Sequence, residues 1–236
     1  MMIKKLMFSL FISQLLVQFS QAQSLEANAL IQKVKANIDK VNDYIATGKM
    51  ITNVSFLKVP EAEVKVYFKK PNKLRIKNEK GISFVPKSAV SINLNNILSA
   101  SKYTVLDAGK DNIGNVSVRV VKLLPEDDNA DVVLSTLYID EANMVIKRAK
   151  TTTRENGSYQ LEMTYGKYAA YGLPDKIIFS FNTKDYKLPK GITFDFDDGT
   201  QTNKSKTDKT KNKSGSTELS FSSYIINKGV ADVDFK

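Results

Sequence analysis

Glu61–Asn78, EAEVKVYFKKPNKLRIKN, is the stretch that decides the fold class. Its apolar residues fall at Ala62, Val64, Val66 and Phe68, then at Leu74 and Ile76 beyond Lys70-Pro71-Asn72. Period-two spacing on both sides of a break predicts two antiparallel strands joined by a turn. Glu61, Glu63, Lys65, Lys69, Lys73, Arg75 and Lys77 occupy the positions between, so one face of the hairpin is wet and the other dry. Pro71 has no N–H to give to a ladder and biases Lys70 toward an extended conformation, which suits a strand end.

The same period continues outward. Residues 46–59 alternate at Met50, Thr52, Val54 and Phe56, predicting the strand before the hairpin. Ahead of it, Ser24–Tyr44 changes period: Leu30, Ile31, Val34, Ile38 and Val41 form a helical stripe, with Ser24 as N-cap and Glu26 in the first turn. Downstream, Ile82–Val85 is a short strand ended by Pro86. Ser88–Ala100 then carries Val90, Leu94, Ile97 and Leu98 at helical spacing. Being rich in Asn and Ser, it predicts a marginal helix better suited to a mobile lid than to a core.

From Lys102 the pattern is strands and turns: Tyr103–Leu106, Val116–Leu124, Val132–Asp140, Met144–Thr152, Tyr159–Tyr165, Lys176–Asn182, Ile192–Phe196 and Leu219–Ile225. Asp140-Glu141-Ala142-Asn143 and Glu155-Asn156-Gly157 have hairpin chemistry, and Gly109–Gly114 reads as a turn. Roughly eleven short strands without strand–helix–strand alternation predict a mainly β (α+β) chain, an antiparallel barrel or strongly curved sheet. Gly199–Thr217 contains five lysines and no apolar residue. It predicts a disordered loop, either a solvated insertion or a basic arm for anionic headgroups or an acidic partner.

Composition excludes much chemistry. The chain of 236 residues has no Cys and no His, which removes disulfides, thiol nucleophiles, the commonest zinc ligands and Ser-His-Asp catalysis. Carboxylates are scattered singly, so no acid–base pair is proposed. Asp195, Asp197 and Asp198 fail the register of a calcium loop, because the next ligand position falls on Gly199 and no Glu closes it. No enzyme, metal or cofactor is expected. Lys4 and Lys5, the apolar Leu6–Phe19 and the small residues of Ser20-Gln21-Ala22 make a secretory leader, so residues 1–22 are expected to be removed and 23–236 to form one exported domain. No Cys follows the leader, so no lipid anchor is expected. The net charge of +10 suits anionic partners, but export argues against nucleic acid, although strand aromatics such as Tyr67, Tyr159 and Tyr165 could stack bases.

Tyr67–Ile76, YFKKPNKLRI, is similar to the aromatic-x-Lys-Arg-Pro-Asn segment of the LolA-like periplasmic lipoprotein carriers. The order of elements also resembles that family: a leading helix, long strands, a mid-chain helical stretch, then more strands. The resemblance implies a half-open barrel, with the N-terminal helix and the lid helix (Val90, Leu94, Ile97, Leu98) over its concave face. It further implies a monomeric periplasmic carrier that moves acylated lipoproteins or other lipids from an inner-membrane transporter to an outer-membrane acceptor. By strand parity, Met50, Val54, Phe56, Val64, Val66, Phe68, Ile177, Phe179, Phe181, Leu219 and Phe221 line the interior, which either holds acyl chains or is filled as a closed core. In the family an arginine before Pro-Asn latches the lid. Lys70 stands there in this chain and lacks the planar fork, so the resemblance implies a latch on carbonyls near the end of Val90–Leu98 that is either weaker or absent. An alternative is an envelope docking or assembly module that uses the same sheet to bind proteins.

Overall fold

The computed structural model describes residues 25–54, 57–58, 61–71, 73–78, 98, 102–154, 157–186 and 214–235. Among the described residues an α-helix, α1, occupies 25–39. The strands are β1 (Asp43–Val54), β2 (Leu57–Lys58), β3 (Ala62–Lys69), β4 (Lys73–Asn78), β5 (Tyr103–Ile113), β6 (Val116–Pro125), β7 (Val132–Asp140), β8 (Val145–Thr153), β9 (Gly157–Thr164), β10 (Lys176–Tyr186) and β11 (Ser214–Ile226). They form an antiparallel open sheet in the order β4-β3-β1-β11-β10-β9-β8-β7-β6-β5, with β2 beside β1. The predicted half-open, mainly β architecture with an N-terminal helix is the one found.

The predicted hairpin is β3–β4. Lys69 pairs with Lys73 across a turn that includes Lys70 and Pro71, and the Lys70–Pro71 peptide is cis. Burial along β3 alternates strictly, with Ala62, Val64, Val66 and Phe68 inside. The alternation propagates through the sheet. Thr52, Thr217, Phe179, Leu161, Ala149, Leu137 and Val121 stand opposite one another in successive strands, and all are buried. One parity therefore makes a dry concave face across the sheet.

Several boundaries move. α1 stops at residue 39, not at Tyr44, because Tyr44–Met50 is paired on both sides, with β3 and with β11. The junction is clamped by Asn227, whose Oδ1 accepts from Asn42 N at 2.7 Å and whose Nδ2 donates to Lys40 O at 2.8 Å. Gly109–Gly114 is not a simple turn. β5 runs to Ile113 with a register shift between Asp107 and Lys110, Gly109 (φ 87°) lies inside it, and Gly114 (φ 58°) starts the hairpin. β11 begins at Ser214, so the last residues assigned to a loop are paired instead. The strands predicted over 82–85 and 192–196, most of the Lys-rich stretch and the leader lie outside the described residues.

The interior is divided. One cluster joins α1 (Ala27, Leu30, Ile31, Val34) to strands β5–β10. The other is built from β1, β3, β4 and β11 and includes no residue of α1. The connection from β4 to β5 joins the two edges of the sheet, and within it Leu98 is buried in the α1 cluster.

A register shift in β1 at Thr47/Gly48 brings Gly48 against β11, where an added Cβ would lie 2.3 Å from Ser220 O. Backbone cannot step aside as a side-chain tip can. Gly48→Ala is expected to lower stability by about 2–3 kcal/mol in denaturant titration. Gly114→Ala, where only the positive φ is strained, is expected to cost about 1 kcal/mol.

Candidate functional site

The half of the concave face that α1 leaves uncovered holds a slot. Tyr44, Val66, Leu74, Ile76, Ile177, Phe179, Thr217, Leu219 and Phe221 line it. The cavity measures about 440 Å³ with its open mouth included, and about 40 Å³ without it. That is room for roughly three waters, so the slot is narrow as it stands.

Its lower wall is aromatic. Tyr44 stacks on Phe68 with centroids 5.2 Å apart and meets Tyr224 edge-on at 5.4 Å, while Tyr224 contacts Tyr168 at 4.9 Å and Phe221 at 5.1 Å. Such pairs add stability beyond the area they bury. The Tyr224 hydroxyl donates to Pro174 O at 2.7 Å. Burial pushes the Tyr44 phenol well above its ordinary range, and burial with neighbouring negative groups does the same for Tyr224, so both are neutral at physiological pH. Thr217 supplies the other polar atom of the lining; its Oγ1 lies 3.5 Å from Thr52 Oγ1. Among the described residues, the slot's lining is thus apolar with two hydroxyl-bearing residues and no charged one.

Of the parity-selected residues, Val66, Ile177, Phe179, Leu219 and Phe221 meet at the slot. Met50, Val64 and Phe68 are buried behind it, and Phe181 is buried in the α1 cluster. Ile177 is half-buried and packs against both clusters, marking their border. Val54 lies in β1, its side chain outside the described residues, as is Phe56. Of the lid residues Leu98 is buried, and Val90, Leu94 and Ile97 are not among those described. Tyr44, Leu74, Ile76 and Thr217 were missed as lining. Leu74 and Ile76 carry the right parity and were legible. Tyr44 continues the helical pattern of Ser24–Tyr44 and Thr217 ends the polar run of Gly199–Thr217, so strand parity assigns neither a face.

Lys70 reaches a helix, but a different one from that expected. Its Nζ donates to Asp39 O at 2.8 Å and to Asp39 Oδ1 at 3.2 Å, at the C-terminal end of α1. A cation there complements the helix dipole and offsets the unfavourable Asp39 carboxylate. Around the same end, Lys40 Nζ donates to Ala170 O at 3.0 Å and Asn37 Nδ2 to Met144 O at 3.2 Å. Asp140 shapes the hairpin that Asn37 meets, accepting from Ala142 N and Asn143 N at 3.0 and 3.2 Å. The other end of α1 has a looser tie, Glu26 to Arg119 at 3.7 Å, and Arg119 is itself held by the buried Asp107.

No protein-family model matches the sequence, and no curated protein matches it. Solved structures do. The chain resembles a putative outer-membrane lipoprotein-sorting protein domain from Vibrio parahaemolyticus (14% identity, TM-score 0.56, covering 90% of this chain and 97% of that one). It resembles equally a LolA superfamily protein from Nitrosomonas europaea (11%, TM-score 0.54, 89% and 97%). A DUF1329 family protein from Desulfovibrio piger is similar too (12%, TM-score 0.52, 89% and 97%). At such identities the likeness is one of fold: the chain has a LolA-like fold.

Burial alone would raise the Asp39 carboxyl, but the hydrogen bonds and charges of Lys35 and Lys70 together hold it below its ordinary value of 3.8. A depressed carboxylate stabilises the fold above its unfolded pKa and loses that contribution as pH falls through the folded one. Asp39→Asn is therefore expected to cost at most about 1 kcal/mol at neutral pH, being partly exposed, and nothing once the carboxyl is protonated. Urea titrations at neutral pH and well below 3.8 check the sign.

Proposed function

We propose that this chain is a periplasmic carrier that binds acyl chains of lipoproteins or other lipids in the slot and moves them toward the outer membrane. The observation that carries the reading is the apolar slot in the half of the concave face that α1 leaves uncovered, walled by β1, β3, β4, β10 and β11. The LolA-like fold supports it, since one similar structure is described as a lipoprotein-sorting domain. The leader over residues 1–22 would deliver the chain to that compartment, with 23–236 as a single domain. Among the described residues no helix is long and apolar enough to cross a membrane. Transfer between an inner-membrane transporter and an outer-membrane acceptor belongs to the same reading.

The energetics suit reversible loading. Each buried methylene is worth about 0.8 kcal/mol, so a partly inserted chain is held firmly yet can be handed on. Because the slot is narrow, loading widens it, and the half-buried Tyr44, Leu74, Ile177 and Phe221 on its walls are the side chains with most freedom to turn. The described lining carries no charged residue, which suits recognition of the acyl chain rather than of a headgroup.

Ile177→Trp places extra bulk where the wall is already half-open. It should displace about two or three methylenes of cargo and weaken a fluorescent fatty-acyl probe by roughly 15- to 60-fold. Thermal melting is expected to show the fold intact. Unchanged probe affinity in a folded Ile177→Trp protein would remove the slot as the acyl site. A parent protein that takes up no probe would favour the docking-module reading instead.

A further inference from the structure

The convex face of the β3–β4 hairpin concentrates charge. Lys65 and Lys69 of β3, with Lys73, Arg75 and Lys77 of β4, alternate with inward-facing residues and so share the outer face. Register sets Lys69 opposite Lys73 and Lys65 opposite Lys77. Like charges placed directly opposite destabilise a sheet unless something neutralises them.

The C-terminal turn, Asp232–Phe235, lies on this face. Asp232 Oδ1 accepts from Lys73 Nζ at 2.9 Å and from Lys69 Nζ at 3.1 Å, and Asp234 Oδ1 lies 3.8 Å from Lys77 Nζ. Lys73 also stands 5.9 Å from the Phe235 ring, and Lys77 stands 5.0 Å from the Tyr67 ring. Lys69, Lys73 and Lys77 thus share the two carboxylates. Glu63, also on this face, lies at its far end opposite Lys49, which is paired with Glu61 at 2.7 Å. Asp43, opposite Lys69, accepts from Gly229 N at 2.9 Å.

We infer that this convex face docks on anionic phospholipid headgroups, with the Asp232 carboxylate standing where a headgroup phosphate binds. Two amines converging on one anionic oxygen is the arrangement a phosphate oxygen requires. Four of the five cations are lysines, whose long stems reach toward a headgroup layer. Exposed aliphatic residues stand beside them, as an interfacial surface needs. Ile225, 54% exposed, is in one cross-strand row with Ile45, Tyr67 and Arg75, and Val233, 66% exposed, sits between the two aspartates. An acidic protein surface would use the charge but not these apolar tips. The face lies on the opposite side of the sheet from the slot, so docking and acyl binding succeed or fail separately.

The test is co-sedimentation of the full chain with phosphatidylcholine vesicles containing about one third phosphatidylglycerol, at low and high salt. Lys69→Gln/Lys73→Gln/Lys77→Gln should weaken partitioning by roughly a hundredfold, about fivefold per lysine. Asp232→Asn/Asp234→Asn, which frees the same lysines, should strengthen it several-fold, and salt should erase both differences. Acyl-probe affinity should be unaltered in both variants. Partitioning equal to the parent in either folded variant would overturn the inference, as would partitioning lost on replacing only the lysines of 204–213. Binding to a polyglutamate peptide but not to the vesicles would assign an acidic protein partner and overturn it as well.

Discussion

The organisation of the molecule follows from a mismatch between one helix and one sheet. A path of ten strands at about 4.8 Å spacing gives a dry face nearly 50 Å across if flattened. α1 over 25–39, at 1.5 Å per residue, is only about 22 Å long and about 10 Å wide. It covers β5–β10 and no more. The remaining strands carry the same inward apolar parity with no described helix to receive it, so the sheet must curl on itself. The slot is what curling leaves open.

That curl is assembled from local devices whose reasons are visible residue by residue. Gly48 lets β1 shift register against β11 where a Cβ would meet the Ser220 carbonyl. The ring cluster of Tyr44, Phe68, Tyr168, Phe221 and Tyr224 closes one end. Asn227, Lys70, Lys40 and Asn37 secure the C-terminal end of α1 to four separate stretches of chain, against the looser tie at Glu26. α1 is therefore fixed at the end nearest the slot. Firm support beside an opening is what a binding site needs if its wall is to yield without the fold yielding with it.

Most of this architecture was legible in the sequence, because strand parity is a strong signal wherever a face is dry. The hairpin at Glu61–Asn78 revealed both faces of the sheet, and the turn chemistry of Asp140–Asn143 fixed another hairpin. What was not legible depended on partners distant in sequence. Tyr44 continues a helical pattern, and only pairing with β3 and β11 draws it into a strand. Thr217 ends a polar run, yet β10 on one side and β1 on the other bury it. Lys70 bonds backbone at the end of α1, a partner for which a strand-end lysine carries no signal in the sequence. The acidic turn at the C terminus has meaning only beside lysines more than 150 residues away.

The central claim is that acyl chains enter the half of the concave face that α1 leaves open. Photo-crosslinking with a diazirine fatty acid, mapped by peptide mass spectrometry, tests it directly. Saturable adducts on the peptides bearing Tyr44, Leu74, Ile177 and Leu219, lost on competition with unlabelled fatty acid, are predicted. Adducts concentrated on the strands beneath α1, or labelling that never saturates, would contradict it.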